Sequence, residues 1–278
     1  MISSRRRNDR SAPPSGGGDP RGRPHHGRRG GAAEEGWLWG THAVHAALAN
    51  PERRLLRLVA TAERAHDLGD LLAARADAEV RVEPADNGEI AQLLPPGASH
   101  QGVALRAEPL PDLDVDDVAQ PAHGLILLLD GVTDPQNVGA ILRSAEAFGA
   151  RAVILQDRHA PKLAGAAAKA AAGAVERLPV ARVVNLSRAL DRLADLGWRA
   201  VGLAGEAQLE LAQALDGGPT VLVLGSEGEG LRRLVAEHCE ALARIPMAGG
   251  AESLNVSAAA AVALYAAAGA ARARGEAA

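Results

Sequence analysis

The stretch Ile245-Pro-Met-Ala-Gly-Gly-Ala-Glu-Ser-Leu-Asn-Val-Ser257 combines three local signals from which the architecture of the chain can be derived. It predicts a short strand that ends at Met247, a loop with two glycines, and a helix that opens near Ser253 to Asn255. Ser and Asn often precede helices because their side-chain oxygens accept hydrogen bonds from the unpaired N–H groups of the first turn. The alanine-rich segment that follows predicts helix to about Arg272. A loop between a buried strand and a helix N-terminus is where α/β proteins bind ligands.

The run Leu125–Leu129 is continuously apolar, which indicates a strand covered on both faces and therefore a parallel sheet. Further strands and helices alternate after it, as in βαβ units. The predicted strands are 152–155, 200–203, Thr220–Leu224 and the one that leads to Met247, and the predicted helices are 138–148, 161–172, 186–196 and 230–238.

A second, smaller α/β unit is predicted before this sheet. Its helix from Thr41 ends at Asn50-Pro51. Strands are predicted after it at Leu55–Ala60, 79–83 and 102–107, and helices at 63–75 and 87–94. We therefore predict an α/β protein with a disordered Arg/Gly-rich tail at 1–35, a small unit at 36–108, an acidic linker at 109–121, and a parallel-sheet domain at 122–278.

Charge is unevenly distributed along the 278 residues, whose net charge is −4. Residues 1–33 contain eight arginines and two aspartates, so the tail is strongly basic and the remainder acidic. The tail is either a solvated segment or an arm that adds non-specific RNA affinity. Within the acidic remainder we expect a local basic face with Arg53, Arg54 and Arg57.

The sole cysteine, Cys239, excludes an intrachain disulfide and fits a reducing compartment. No apolar run reaches the roughly 18 residues of a membrane span, and the N-terminus lacks the apolar core of a signal peptide. We therefore expect a cytoplasmic, soluble protein without a membrane partner. No His/Cys/Asp/Glu group has metal-ligand spacing, so no metal site is predicted.

The loop after Leu129 carries polar residues that a simple connection would not need. Asp134 is placed to cap the next helix and Pro135 suits its first turn. Arg143 lies four residues after Gly139, hence on the same helix face. A guanidinium on a low surface at the sheet edge suits phosphate or carboxylate binding, although a solvated or ion-paired arginine fits the pattern equally well.

The loop Gly225-Ser-Glu-Gly-Glu-Gly230 follows the apolar strand that ends at Leu224. Its glycines are spaced G-x-x-G-x-G, which differs from the dinucleotide fingerprint, and no Walker lysine is present. Glu227 and Glu229 would repel a pyrophosphate. This pattern disfavours NAD, FAD and ATP and allows a sulfonium cofactor, for which Met247 and Leu254 could supply apolar walls.

These three loops, in this order, resemble the SpoU family (SPOUT superfamily) of RNA ribose 2′-O-methyltransferases. The matching motifs are Asn137-x-Gly139-Ala-Ile-x-Arg143, then Leu224-Gly-Ser-Glu-Gly-Glu-Gly230, then Ile245-Pro-Met247 through Ser253-Leu-Asn-Val-Ser257. Within the family the likeness is greatest to members that methylate a guanosine of 23S ribosomal RNA. Additional matching segments are Lys169-Ala-Ala-Ala-Gly173, Gly40-Thr-His-Ala-Val44 and His100-Gln-Gly102.

The resemblance implies a deep trefoil knot in the C-terminal domain and an L30-like, RNA substrate-binding N-terminal domain. It also implies a homodimer, S-adenosylmethionine as cofactor, and 23S RNA or an assembling large subunit as substrate. Cofactor-binding residues would be Leu224, Gly225, Ile245, Met247, Leu254 and Asn255. Because a ribose hydroxyl is a weak nucleophile, we expect Arg143 to stabilise the forming alkoxide or to act as a base with a substrate phosphate. Residues that orient Arg143, ribose and cofactor would be Asn137, Glu227, Ser253 and Asn255.

Three alternatives stay open on the sequence. The same chemistry could act on transfer RNA, although relatives of that kind often lack the N-terminal unit. The chain could instead be a catalytically silent RNA-binding or ribosome-assembly protein, which the intact motifs disfavour. A nicotinamide oxidoreductase is disfavoured by the glycine spacing and the two glutamates.

Overall fold

The computed structural model describes residues 36–75, 80–249 and 253–275, and the predicted disordered tail at 1–35 lies outside these ranges. The first part of the chain forms a four-stranded sheet with three helices, here called the N-terminal unit. Its strands pair in the order β1-β4-β2-β3, with β2 and β3 parallel and the other pairs antiparallel. In chain order the elements are β1 (Trp37–Trp39), α1 (Thr41–Ala49), β2 (Leu55–Ala60), α2 (Ala62–Ala73), β3 (Val82–Pro84), α3 (Asn87–Leu93) and β4 (Val103–Ala107).

The rest of the chain forms a seven-stranded sheet with its helices, here called the C-terminal unit. Every strand pair in this sheet is parallel, which confirms the predicted parallel sheet. The strands are β5 (Leu125–Leu129), β6 (Ala152–Gln156), β7 (Val180–Val183), β8 (Arg199–Leu203), β9 (Leu209–Glu210), β10 (Thr220–Leu224) and β11 (Ala241–Arg244), and they pair in the order β7-β6-β5-β10-β8-β11-β9.

Helices of the C-terminal unit follow most of these strands. A short 3-10 helix, Ala174–Glu176, also precedes β7. The helices are α4 (Val115–Ala119), α5 (Pro135–Ala147), α6 (Gly165–Ala171), α7 (Leu186–Asp195), α8 (Leu211–Ala214), α9 (Arg233–Glu237) and α10 (Val256–Arg274).

The central strand β5 shows why its sequence is continuously apolar. Leu125, Leu127 and Leu129 belong to one buried cluster, whereas Ile126 and Leu128 belong to another on the opposite side. Because successive side chains of a strand point to opposite faces, both faces of this sheet are covered by apolar groups. The sheet therefore carries the core of the C-terminal unit on each of its faces.

Several predicted boundaries are wrong. The strand expected to end at Met247 ends at Arg244, because Pro246 has no backbone N–H to donate to a neighbouring strand. The short edge strands β7 and β9 and the strand Trp37–Trp39 were not predicted, since none shows the long apolar run of a central strand. The predicted linker contains α4, whose residues Val118 and Ala119 are buried.

Helix α10 is, within the ranges that the structure describes, the one helix whose length and apolar composition would allow it to cross a membrane. It is also part of the protein core, because Ala260, Ala263 and Leu264 are fully buried. The core helix of a soluble protein passes the same test, so this feature is weak support for a span.

Candidate active site

Three predicted site residues meet at the carboxyl edge of the seven-stranded sheet. Asn137 lies in the first turn of α5, Glu227 in the loop after β10, and Asn255 directly before α10. The Asn137 Nδ2 donates to Glu227 Oε1 at 3.1 Å. The Asn255 Nδ2 donates both to the same Oε1, at 2.5 Å, and to Asn137 Oδ1, at 3.0 Å. Residues that are about 120 positions apart in sequence therefore form one hydrogen-bonded group, here called the loop cluster.

Local helix signals place two members of this cluster. Asp134 caps α5 through hydrogen bonds to the backbone N–H of Gln136 and Asn137, as predicted. Asn255 caps α10, since its Oδ1 accepts from the backbone N–H of Ser257 at 2.9 Å and of Ala258 at 3.3 Å. Each cap fixes the first turn of its helix and so sets the direction in which the amide side chain points.

Glu227 is the centre of the loop cluster. Its Oε1 accepts from Asn137, from Asn255 and from the backbone N–H of Val256 at 3.1 Å. The last contact puts the carboxylate at the N-terminus of α10, where the helix dipole favours negative charge. The side chain nevertheless stays exposed, so a ligand can reach it.

The glycine loop that carries Glu227 closes on itself. Ser226 and Gly230 exchange two backbone hydrogen bonds of 3.1 Å and 3.0 Å. Gly225 packs so tightly against Gly230 that a Cβ at position 225 would collide with its carbonyl group. Glycine at 225 is therefore required by the fold of the loop itself.

A buried ion pair that sequence reasoning missed anchors the same loop. The Asp130 side chain is inaccessible to solvent and accepts from the Arg232 backbone N–H at 2.8 Å and from its Nε at 2.5 Å. A terminal nitrogen of Arg232 also donates to Gln156 Oε1 at 3.0 Å. Arg232 thus connects the ends of β5, β6 and the glycine loop. An aspartate directly after a buried strand was the available signal, but its partner lies about 100 residues away.

Arg143 is not part of the loop cluster. It is exposed on α5, six residues after Asn137 and hence roughly 9 Å further along the helix axis. No group in the described part of the chain accepts a hydrogen bond from its guanidinium. Gly139, predicted to keep the surface near Arg143 low, is buried against α6, where a Cβ would collide with the Ala167 carbonyl. That glycine permits close helix packing.

The predicted cofactor walls differ in exposure. Leu224 is buried at the end of β10 and Ile245 is partly buried, whereas Met247 and Leu254 are 39% and 38% exposed. Ser253 is exposed next to Leu254, and residues 250–252 lie outside the described ranges. Exposed thioether and leucine side chains on the segment that leads to Asn255 suit a ligand with a cationic sulfonium and a neutral aromatic base. A pyrophosphate site would need a lysine or arginine side chain. The hydrogen bonds of the loop cluster include neither.

The predicted basic face is wrong for Arg53. This residue is 3% exposed and its guanidinium is bound to Glu176, so RNA phosphates cannot reach it. Arg54 and Arg57 are accessible, but each forms an ion pair, with Glu108 at 3.1 Å and Glu83 at 2.7 Å respectively.

Two cavities lie outside the loop cluster. One of about 550 Å³ is formed by Thr61–Glu63 and Pro84–Asn87, and one of about 800 Å³ lies between the N-terminal unit, the linker and the turn before α6. Within the described ranges no group of three His, Cys, Asp or Glu side chains is arranged to hold a metal ion.

Sequence profiles of two families match the chain. The SpoU rRNA Methylase family matches residues 124–265, and a family described as RNA 2′-O ribose methyltransferase substrate binding matches residues 37–113. The first match covers α5, the glycine loop and the first half of α10. The second covers the N-terminal unit.

Individual relatives match over most of both chains. The 23S rRNA (guanosine-2′-O-)-methyltransferase RlmB of Photobacterium profundum is 42% identical over 82% of this chain and 95% of its own length. The protein of the same name from Ralstonia nicotianae is 43% identical over 82% and 93%. The solved SpoU methyltransferase AviRb of Streptomyces viridochromogenes, in complex with AdoMet, superposes with a TM-score of 0.72 at 26% identity over 86% and 89%. The chain belongs to the SpoU rRNA methylase family, as its three loop motifs predicted.

Proposed function

We propose that this protein is an rRNA (guanosine-2′-O-)-methyltransferase. It transfers the methyl group of S-adenosylmethionine to the ribose 2′-hydroxyl of a guanosine in 23S ribosomal RNA. The observation that carries the proposal is the loop cluster, in which three motifs of one methyltransferase family are joined by direct hydrogen bonds. Relatives that carry this activity in their names are more than 40% identical over most of the chain.

The cofactor binds against the loops after β10 and β11. Its holding residues are Leu224, Gly225, Ile245, Met247, Leu254 and Asn255. When bound, the sulfonium supplies an electrophilic methyl group. The carboxylate of Glu227 lies at this edge and favours a cationic ligand over a phosphate.

Arg143 acts on the RNA side of the reaction. A ribose hydroxyl must lose its proton to become a good nucleophile. The exposed Arg143 guanidinium either stabilises the forming alkoxide while the proton passes to solvent water, or holds a substrate phosphate that accepts the proton. Asn137, Glu227, Ser253 and Asn255 orient ribose, cofactor and Arg143.

The two units divide the work. Residues 36–108 form the L30-like domain that binds RNA, 109–121 are the linker, and 122–278 form the methyltransferase domain with a deep trefoil knot. The match of the N-terminal unit to a substrate-binding family supports the first assignment, and family membership supports the knot. The protein works in the cytoplasm, on 23S RNA or on an assembling large subunit.

The active enzyme is a homodimer that pairs through α5 and α10. Val262 and Tyr265 on α10 are 43% and 64% exposed, and Tyr265 contacts Phe148 edge-to-face at 6.0 Å. An exposed apolar surface of this kind is typical of a protein contact. Light scattering should give a dimer for the wild type and a monomer for Tyr265→Asp. A monomeric wild type that methylates RNA at full rate would contradict the dimer.

The test of function is deletion of the gene, followed by mass spectrometry of nuclease-digested 23S and transfer RNA. We expect loss of one 2′-O-methylguanosine from 23S RNA and its return when the wild-type gene is restored. Loss of a 2′-O-methylated nucleotide from transfer RNA instead would agree with the proposed reaction and refute 23S RNA as the substrate. An unchanged pattern in both RNAs, together with a protein that binds S-adenosylmethionine no better than the glycine-loop variant Gly225→Val, would refute the enzyme.

A further inference from the structure

A buried ion pair joins the two units at a point far from the loop cluster in sequence. Arg53, between α1 and β2, donates through Nε to Glu176 Oε2 at 3.0 Å and through a terminal nitrogen to Glu176 Oε1 at 2.7 Å. Glu176 ends the 3-10 helix before β7, in the C-terminal unit. The two side chains are only 4% and 3% exposed.

The remaining polar atoms around this pair are also satisfied. The other terminal nitrogen of Arg53 donates to the Glu108 carbonyl at 2.7 Å, one residue before the predicted linker. Asn50 donates to Glu176 Oε2 at 3.0 Å and to its carbonyl at 3.3 Å. The hydrogen-bonding partners therefore come from three different segments: the end of α1, the residue that precedes the predicted linker, and the 3-10 helix.

Close packing continues from this pair along α6. Gly173 lies against α1, and a Cβ there would be 2.7 Å from the Ala46 Cβ. Gly165 lies against the ring of Trp39 in β1, with 3.0 Å between the ring and an added Cβ. The Lys169 ammonium donates to the side chain of Gln101, and its burial lowers the pKa of this lysine. The Arg53–Glu176 pair with Asn50, together with these contacts of α1, β1 and Gln101 with α6 and the residues that follow it, is here called the junction.

A buried ion pair is an inefficient way to gain stability. Removing two charges from water is costly, and well-packed apolar side chains often stabilise a protein as well or better. What a bidentate guanidinium–carboxylate pair adds is direction, because it is formed in only one relative orientation of the two groups. The junction thus restricts how the N-terminal unit is turned relative to the sheet edge that carries the loop cluster.

We propose that Arg53 and Glu176 are positioning residues, which hold the N-terminal unit at one angle so that RNA bound there reaches the loop cluster with its ribose in place. This inference rests on the proposed methyltransferase function. It predicts that the pair matters for RNA turnover and not for cofactor binding, since neither residue touches the loop cluster.

The experiment uses the full chain, a 23S RNA fragment that the wild type methylates, and three variants. Glu176→Gln removes the charge with little change in shape. The double variant Arg53→Met, Glu176→Met replaces the pair by apolar side chains. It therefore leaves no buried charge without a partner that could prevent folding. The matched control is Arg192→Met, which removes a bidentate pair with Asp116 of similar geometry, 2.8 Å and 2.7 Å, but on an exposed surface.

For both junction variants we expect kcat/KM for RNA to fall about tenfold, with the Kd for S-adenosylmethionine unchanged within twofold. Hydrogen exchange should accelerate in peptides from β1 and α6, and the control should match the wild type in every measurement. The melting temperature separates positioning from stability, because a double variant that melts like the wild type should still turn RNA over slowly.

A double variant with wild-type melting temperature and wild-type kcat/KM would overturn the positioning role, and so would unchanged exchange at β1 and α6 in both variants. Failure of the underlying function gives a different result. In that case the wild type itself would transfer no methyl group to RNA, whatever the junction variants do.

Discussion

The junction and the loop cluster each contain a glutamate that is hydrogen-bonded to asparagine, but only the junction adds an arginine, and the two groups have opposite roles. At the junction Arg53, Glu176 and Asn50 pair fully with one another and with backbone, and the ion pair is buried. In the loop cluster Asn137, Glu227 and Asn255 are also hydrogen-bonded, but the group stays open to solvent. Arginine and carboxylate side chains that are closed off hold structure together, whereas those that remain accessible are available to a ligand.

Arg143 and Arg53 sharpen this contrast, because the sequence made both candidates for contact with RNA. The structure buries Arg53 and leaves Arg143 exposed, with no hydrogen-bond acceptor among the residues it describes. Residue type alone does not distinguish a structural arginine from one that is open to RNA. What distinguishes them is whether the fold provides a hydrogen-bonding partner for the guanidinium.

The largest effect is expected at Arg143. Replacement by alanine should lower kcat for RNA methylation by about 10²–10³, as removal of one stabilising donor does in other enzymes. Single-turnover methyl transfer and a cofactor-binding titration would measure it. Arg188→Ala, an exposed arginine on α7, is the control. Activity within about threefold of wild type, a loss under ~0.7 kcal/mol, would refute the assignment of Arg143.

Glu227→Ala should have the next largest effect. It leaves Asn137, Asn255 and the Val256 N–H without their shared acceptor, so we expect a loss of kcat/KM of about 10–100-fold with a small change in melting temperature. Glu229→Ala, in the same loop and also exposed, should stay within twofold of wild type. Equal losses of kcat/KM in the two variants would show that the loop tolerates neither change. The hydrogen bonds of Glu227 would then have no particular role in activity.

Asp130→Asn tests the anchor of the glycine loop by its effect on stability. The carboxylate is fully buried but Arg232 is half exposed, so we expect a loss of about 2 kcal/mol in the free energy of unfolding. Chemical denaturation would measure it. Asp116→Asn, at the exposed pair with Arg192, should leave the denaturation midpoint unchanged. A smaller effect at Asp130 than at Asp116 would contradict the inference that burial decides what such pairs contribute.

The smallest effect concerns His45, in the helix α1 that forms part of the junction. Burial lowers the pKa of His45 below 6.5, and the charges of His42 and Arg64 add to this while that of Asp67 opposes it. As the pH falls, the unfolded chain therefore takes up the proton before the folded chain does. Titration of His45 takes nothing from the free energy of unfolding above about pH 6.5, and it lowers that free energy as the pH falls towards the folded pKa. Between about pH 7.5 and 5.5 the melting temperature should fall less steeply for His45→Gln than for the wild type. An equal dependence of melting temperature on pH in the two proteins would refute this prediction.

Local signals predicted much of this fold. The strands Leu55–Ala60, Leu125–Leu129 and Thr220–Leu224 have the predicted bounds, because an apolar run between turn residues is a short-range pattern. The caps Asp134 and Asn255 were predicted for the same reason.

Long-range pairings were not predictable from one sequence. Nothing near Arg53 indicates that its partner is Glu176, and Asp130 gives no sign of Arg232. The prediction of a strand up to Met247 failed because apolar residues on either side of Pro246 suggest continuity that the missing N–H prevents. For the loop cluster the sequence supplied the members, whereas the shared oxygen of Glu227 became visible only in three dimensions.

The strand order also bears on how the chain acquires its structure. The middle of the seven-stranded sheet is the pairing of β5 with β10, in which Leu125 lies opposite Thr220. During synthesis β5 leaves the ribosome long before β10. The edge of β5 that will pair with β10 therefore stays unpaired while the intervening segments emerge. Sheets dominated by such distant pairings fold slowly and expose apolar edges meanwhile. We expect the C-terminal unit to complete its core only after β10 has left the ribosome, which makes this interval the one in which the growing chain most depends on protection from aggregation.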